Sequence, residues 1–357
     1  MTTMLDCINE QPLSCEQILA NEAANFAELD HLLEQRQLRR ILILATGSSL
    51  NAVHAVERHL EVVAGILTKV VEPFTYSEYE SLDNDFDLVV AVSQRGTSSS
   101  TIDAVKAARL RVAAPILIVT ADTRSPLAAL GDCRLDIGCG DEAVRYSTKG
   151  VSATVLTLLL MSVRLAEHGE RTVREALGRP GIVAAVASTG AVIDRAERYY
   201  EEHRKELEAA TRISVLGFGP NVGTAVEAET KIIETVRVPV QGMELEAYMH
   251  GPLFELRPEY TLFLTEVRGT TSAERLRQFA DFASGHCDHV HIVTSGTSTG
   301  REQELALDVQ IAEEISPLLM ILPYQVLAYR MSASRNIDLI EPAFPDFRSA
   351  MRTKVAG

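Results

Sequence analysis

Short apolar runs of strand length alternate along this chain with stretches in which apolar side chains recur every three or four positions. Arg40–Ala45 (RILILA) is the first run, and it passes through the small-residue loop Thr46-Gly47-Ser48-Ser49. Beyond it Ala52, Val53, Val56, His59 and Leu60 fall on one face of a helix. Residues 87–92 (DLVVAV) predict a second strand, running into Ser93-Gln94-Arg95-Gly96-Thr97-Ser98-Ser99-Ser100 and a helix over 102–108. A third strand is expected over 115–120 (PILIVT) and a long apolar helix over 150–165. Val, Ile and Leu runs without alternation are strands covered on both faces, and helices between them imply a parallel sheet.

The second half repeats the pattern. ILILATGSS aligns with ISVLGFGPN 172 positions later, and Gln94-Arg95-Gly96-Thr97-Ser98 has an echo in Val267-Arg268-Gly269-Thr270-Thr271 at 173. Two anchors at nearly one offset point to an internal duplication. The expected division is an N-terminal domain over 1–190 and a C-terminal domain over 191–357, each an αβα layer structure. The charged stretch 194–207 (DRAERYYEEHRKEL) reads as one helix leading into the second half. A helix is also expected over 225–235, and the tail after Arg335, with Pro342 and Pro345, is expected to be extended.

Composition narrows the choice of partners. The chain has 357 residues, 46% of them hydrophobic, with 34 Lys and Arg against 49 Asp and Glu, a net charge of −15. That field repels nucleic-acid backbones and anionic lipid, so neither is an expected partner. An anionic ligand has to be held locally, by backbone N–H groups, hydroxyls and a few placed cations. No apolar run of the roughly 18–20 residues that span a bilayer stands out, and the first residues lack the pattern of a secretory signal. The five cysteines (Cys7, Cys15, Cys133, Cys139, Cys287) show no CxxC spacing, which suits a reducing cytoplasm.

Ser93–Ser100 carries the strongest chemical signal. A strand ends, a glycine turn follows, and hydroxyl residues crowd the start of a helix, where unpaired N–H groups form an anion site. One hydroxyl would cap the helix; the five in Thr97–Thr101 exceed that need. Thr46–Ser49 has the same strand-to-helix position and would face the same sheet edge. No GKS or GKT follows either loop, and Gly217, Gly219 and Gly223 are a poor match to a dinucleotide fingerprint.

The segments TGSSLN, VSQRGTSSSTIDA, EAVRYSTKG, AVEAETKIIE and AYMHGPLFEL follow one another in this order. Together they resemble tandem SIS (sugar isomerase) proteins over nearly the whole chain. The relatives brought to mind are the isomerase half of glucosamine-6-phosphate synthase, short glucosamine-6-phosphate deaminases and fructosamine-6-phosphate deglycases. The resemblance implies two flavodoxin-like domains, a homodimer with a shared active site, and a sugar phosphate as ligand. It places phosphate contacts on Ser93, Gln94 and Ser98, with Ser49 beside them, and a sugar contact on Ser147. Arg95 and Arg145 depart from the synthase-like pattern. Either they face solvent or pair with Asp141 and Glu142, or an arginine reads a carboxylate on the substrate.

Glu227, Lys231 and Glu234 lie at i, i+4 and i+7, which by itself describes a salt-bridged helix face. The resemblance assigns Glu234 as the catalytic base, His250 (in Tyr248-Met249-His250-Gly251-Pro252) as the ring-opening proton shuttle, and Lys354 as a Schiff-base lysine. Carbon-to-carbon proton transfer in an open-chain sugar needs such a carboxylate and shuttle, and no cofactor. His286-Cys287-Asp288-His289-Val290-His291 is dense in metal-ligand types, but His289 and His291 alternate in a strand with no partner pair nearby in sequence, so no metal is expected. The first strand begins some forty residues into the sequence, so no glutaminase domain is expected ahead of it. The expected activity is therefore release of an amine from a fructosamine 6-phosphate or amino sugar 6-phosphate. Plain ketose–aldose isomerisation and non-catalytic sugar-phosphate sensing are the alternatives.

Overall fold

The structure, a computed structural model, describes residues 2–34, 36–80, 85–142 and 144–355. The first half contributes strands β1 (Arg40–Ala45), β2 (Leu67–Val71), β3 (Leu88–Val92), β4 (Ile116–Thr120) and β5 (Cys133–Asp136). The second contributes β6 (Ile213–Gly217), β7 (Val240–Glu244), β8 (Thr261–Glu266), β9 (His289–Thr294) and β10 (Glu304–Ala306). Each set forms an all-parallel sheet, in the orders β2-β1-β3-β4-β5 and β7-β6-β8-β9-β10. The two orders are the same doubly wound arrangement, whose chain direction switches between the first and third strands. Two flavodoxin-like αβα layers in tandem are thus observed.

Every side chain of β3, β4, β6 and β8 is buried, as unalternating apolar runs require. Asp87, at the start of the expected second strand, instead accepts the N–H groups of Arg39 (2.6 Å) and Arg40 (2.9 Å), and so precedes the strand. One apolar core joins the inner faces of both sheets through the helices Ser48–His59, Lys149–His168, Asn221–Val236 and Pro317–Ser334. A smaller core covers the outer face of each sheet.

Three expectations need correcting. Lys149–His168 is long and apolar enough to cross a membrane, but 89% of its most apolar stretch is buried within the protein, so its hydropathy reflects a central core helix. The helix expected over 194–207 is two helices, Arg179–Glu202 and Arg204–Ala209, parted at His203; residue 190 lies inside the first. The tail is not simply extended. It includes the short helix Phe347–Met351 and then doubles back onto the first domain. All five cysteines are free and buried. Desolvation pushes Cys7, Cys15, Cys133 and Cys139 up to about 12, leaving little thiolate at neutral pH.

Candidate active site

The carboxyl ends of β1 and β3 open into two loops that face one another across the switch point. Gly96, at φ +59°, turns the second loop, and a Cβ there would overlap the Ser125 hydroxyl. The helices Ser48–His59 and Ser99–Arg111 begin at these loops, and neither N-cap residue, Gly47 or Ser98, makes a side-chain capping bond. The Ser98 hydroxyl instead lies 3.3 Å from that of Ser100. The crowded hydroxyls are therefore not consumed in capping. Between the loops is a cavity of about 270 Å³, walled on this side by Ser49, Ser93, Gln94, Ser98 and Ser147.

One buried carboxylate organises both Gln94 and Ser147. Glu142 is buried and accepts the N–H groups of Thr148 (2.8 Å), Lys149 (2.8 Å) and Gly150 (3.2 Å), capping the long core helix. The same carboxylate takes the Gln94 amide N–H at 2.7 Å, while the Gln94 carbonyl accepts the Ser147 hydroxyl. Arg95 donates to the main-chain carbonyls of Glu142 (3.1 Å) and Val144 (2.6 Å). It clamps this loop through the backbone, not through the carboxylates of Asp141 and Glu142.

Four cations line the cavity of an acidic protein: Arg95, Arg145, Arg348 and Lys354. Lys354 reaches it because the tail pairs with the serine loop. Ser99 N–H bonds to the Thr353 carbonyl (3.3 Å), Val355 N–H to the Thr97 carbonyl (3.0 Å), and Ser98 and Lys354 form an antiparallel bridge. Desolvation, then Arg95 and Arg348, hold the Lys354 amine below its ordinary value, although the residue as a whole stays exposed. Desolvation, with Arg145 and Arg95, similarly lowers Arg348, which sequence reasoning missed.

Glu234 is the one carboxylate lining the cavity among the described residues. It comes from the second half, on the helix Asn221–Val236, which crosses the helix Ser48–His59. The crossing is close because residue 223 is glycine: a Cβ there would lie 2.4 Å from the Ala55 nitrogen. That is the structural use of Gly223. Below Glu234 the helix stripe is buried, not solvated. Lys231 is fully buried and lies 3.1 Å from Glu234 and 3.5 Å from Glu227. Desolvation raises Glu227, whose other oxygen accepts the Asn51 amide at 2.8 Å. Desolvation would lower Lys231, but Glu234 and Glu227 outweigh it, and the ammonium is stabilised. This embedded ion set ties the two halves together and fixes Glu234 at the cavity wall.

His250 is not brought to this cavity. It caps the short helix Leu245–Met249 and is exposed, as is Phe254 four residues on, at 83%. A second cavity of about 450 Å³ adjoins the first and shares Arg95, Arg145 and Arg348 with it. Its far walls are Met4, Tyr329, Leu339 and Ile340. Arg145 donates to the Ile340 carbonyl at 3.3 Å.

Residues 35–165 match the family model of the SIS domain. The glutamine–fructose-6-phosphate aminotransferase [isomerizing] of Gloeobacter violaceus is 28% identical over 312 residues, covering 85% of this chain and 51% of that protein. The chain spans about half the length of the curated relatives it matches. A solved structure from Clostridium difficile 630, assigned provisionally as a phosphosugar isomerase, superposes with a TM-score of 0.89 at 24% identity, covering 100% of both chains. The glucosamine-6-phosphate deaminase of Thermotoga maritima gives 0.76 at 19% identity, covering 96% of this chain and 98% of that one. At these identities the structural likenesses establish the fold.

Proposed function

We propose, from the SIS-domain match over residues 35–165, that the chain is an enzyme releasing an amine from a fructosamine 6-phosphate or an amino sugar 6-phosphate. The observation that carries this reading is the meeting, in one cavity, of a hydroxyl-rich helix start with Glu234 from the other half and Lys354 from the tail. A pure binding module would need the first of these and neither of the others.

In this reading the phosphate lies against the first-turn N–H groups and hydroxyls of Ser49, Ser93 and Ser98. Holding it there sets the distant C1 and C2 carbons against Glu234. Glu234 removes the C1 proton of the open-chain aminoketose and returns it to C2, while the amine N–H proton passes to the C2 oxygen, so that the C1–N single bond becomes an imine and the ketone a hydroxyl. Water adds to that imine, and the amine leaves with an aldose 6-phosphate remaining. Lys354 faces the same space with an amine that loses its proton more readily than usual, as exchange with an imine at C2 requires. With an amino sugar 6-phosphate the proton passes from C2 to C1, Lys354 displaces the amine from the resulting C2 imine, and water hydrolyses the lysine imine to a ketose 6-phosphate and free Lys354.

His250 belongs to this mechanism only if a second copy of the chain delivers it. Its exposure, with that of Phe254, is what such an interface would cover. The division of labour is then a phosphate-holding unit over 1–190 and an acid–base unit over 191–357. Amine release is favoured over plain isomerisation by the second cavity, which gives room for a group beyond the sugar. The three arginines at its mouth suit a carboxylate on that group, as on an amino acid joined to the sugar.

The test is a panel of sugar 6-phosphates and fructosamine 6-phosphates, with and without a carboxylate on the amine, assayed for released amine. Carboxylate-bearing substrates should be preferred, and Arg145→Met should lower their kcat/KM about tenfold or more while leaving glucosamine 6-phosphate unaffected. Turnover of plain ketose phosphates alone would replace amine release with isomerisation.

A further inference from the structure

At the start of β9, away from both cavities, four histidine and glutamate side chains meet that the sugar chemistry does not use. The expected strand pair His289 and His291 does have partners, supplied by the break between the helices Arg179–Glu202 and Arg204–Ala209. Glu206 Oε1 lies 2.5 Å from His203 Nδ1 and 3.8 Å from His291 Nε2, and Glu206 Oε2 lies 3.3 Å from His289 Nδ1. Gln303 donates to Glu206 Oε2 at 3.0 Å. One ligand atom from each of His203, Glu206 and His291 lies within 4.8 Å of the other two.

A hydrogen-bonded cluster accounts for His203, His289 and Gln303. It does not account for His291. That ring is fully buried, stacked on Phe263 at 4.9 Å, and its Nδ1 is 2.7 Å from the Tyr199 hydroxyl. Its Nε2 has no hydrogen-bond partner among the described residues and lies 3.8 Å from Glu206 Oε1. If Nδ1–H donates to Tyr199, an unprotonated Nε2 faces a carboxylate oxygen 3.8 Å away. In the other tautomer, Nε2–H points across a gap too long for a hydrogen bond. Neither state satisfies a buried polar atom. A cation between the two satisfies both.

We propose that His203, Glu206 and His291 form a binding site for a divalent transition-metal ion, zinc being the best fit, separate from the sugar-phosphate cavity. Two imidazoles and a carboxylate are a familiar zinc donor set, with the fourth position left to water or to His289. Bonds of about 2.0–2.1 Å to tetrahedral zinc put neighbouring ligand atoms roughly 3.3 Å apart, and the observed 2.5 and 3.8 Å bracket that spacing. The ion takes the place of the hydrogen-bond proton between His203 and Glu206, and the His203 ring then carries its proton on Nε2. Tyr199 then acts as the outer partner that fixes the His291 ring's tautomer. The ion would tie the end of a long helix to β9.

The full chain, stripped with a chelator and dialysed, is titrated with Zn²⁺ alone and, separately, with Co²⁺ as a spectroscopic probe. One equivalent of Zn²⁺ per chain should bind at micromolar concentration or tighter, and Co²⁺ should develop the visible absorption of a tetrahedral site. His203→Gln and Glu206→Gln, both on partly exposed positions, should each weaken Zn²⁺ binding about 100-fold, and Tyr199→Phe about tenfold. Circular dichroism confirms that each variant is folded. Binding only at millimolar Zn²⁺, or a full equivalent bound equally well by both folded ligand variants, overturns the proposal.

Discussion

The two halves of this chain build the same sheet with the same hydroxyl-bearing helix start, yet their equivalent edges have opposite character. In the first half the loop after β3 and the loop after β1 enclose an open cavity faced by Arg95, Arg145, Arg348 and Lys354. In the second half the corresponding space is filled by the chain's own carboxylate. Glu313 accepts the hydroxyl of Ser272 at 3.0 Å and lies 4.0 Å from where a Cβ on Gly219 would be, so it bridges the two equivalent loops. Arg268, the counterpart of Arg95, faces Glu266 (3.4 Å) and Glu304 (3.8 Å). Topology supplies two equivalent edges, and the charges that face them differ. The second half instead contributes Glu234 across the helix crossing at Gly223.

The largest effect should come from removing that contribution. Glu234→Gln should lower turnover by at least about 10²-fold and leave the affinity for fructose 6-phosphate close to wild type. Near-normal turnover would mean that the second half serves only as a scaffold.

Next is the question of which copy completes the site. If His250 acts from a neighbouring chain, Glu234→Gln and His250→Ala are each inactive alone. Unfolded together, mixed and refolded, they should regain a measurable fraction of wild-type activity. No regain in verified heterodimers would remove His250 from the mechanism or place it in the same chain's site.

The charge of the open edge should be visible in the pH profile. Lys354 is held low by desolvation, Arg95 and Arg348, so removing a neighbouring cation lets its value rise toward that of an ordinary lysine. Arg348→Met should therefore move the limb of the rate profile that reports unprotonated Lys354 to higher pH. The loss at neutral pH should be less than about tenfold, as expected for a partly solvated pair, and should recover in alkali. A shift toward acid, or none, would contradict this role.

The smallest effect concerns the closed edge. Glu313→Ala should create a second, weak anion site, so that inorganic phosphate at millimolar concentration binds with two equivalents per chain rather than one. Amine release should stay within about twofold of wild type, since a site this exposed adds little. A single equivalent in both proteins would show that Glu313 is not what closes the second edge.

Much of this was legible from sequence because it rests on local rules. Apolar runs at strand length gave the sheets, and the repeated loop-to-helix joints gave the duplication. Hydroxyls in excess of capping marked the serine loop. What escaped was whatever depended on chain segments far apart in sequence. Nothing in 194–207 announces a break at His203, because His203 Nδ1 and Glu206 are satisfied only when the helix stops there and β9 comes alongside. The tail's return was hidden because a single bridge and two main-chain bonds hold it. The stripe Glu227–Lys231–Glu234 has the spacing of an exposed ion ladder, and only its packing under the helix Ser48–His59 makes it a buried one. Glu142 was legible only as a possible partner for an arginine, as a capping carboxylate seven residues ahead of a helix fits no short motif.

The central claim is that the open edge of the first sheet reads phosphate, and calorimetric titration of fructose 6-phosphate and of fructose tests it most directly. Wild type is compared with the double variant Ser93→Ala and Ser98→Ala, which removes two hydroxyl donors from the loop. Each hydrogen bond to a charged group is worth about 1.5–3 kcal/mol. Affinity for fructose 6-phosphate should therefore fall more than tenfold, while the weak binding of fructose stays unchanged. Equal losses for both ligands, or unaltered binding of the phosphate ester, would contradict the account.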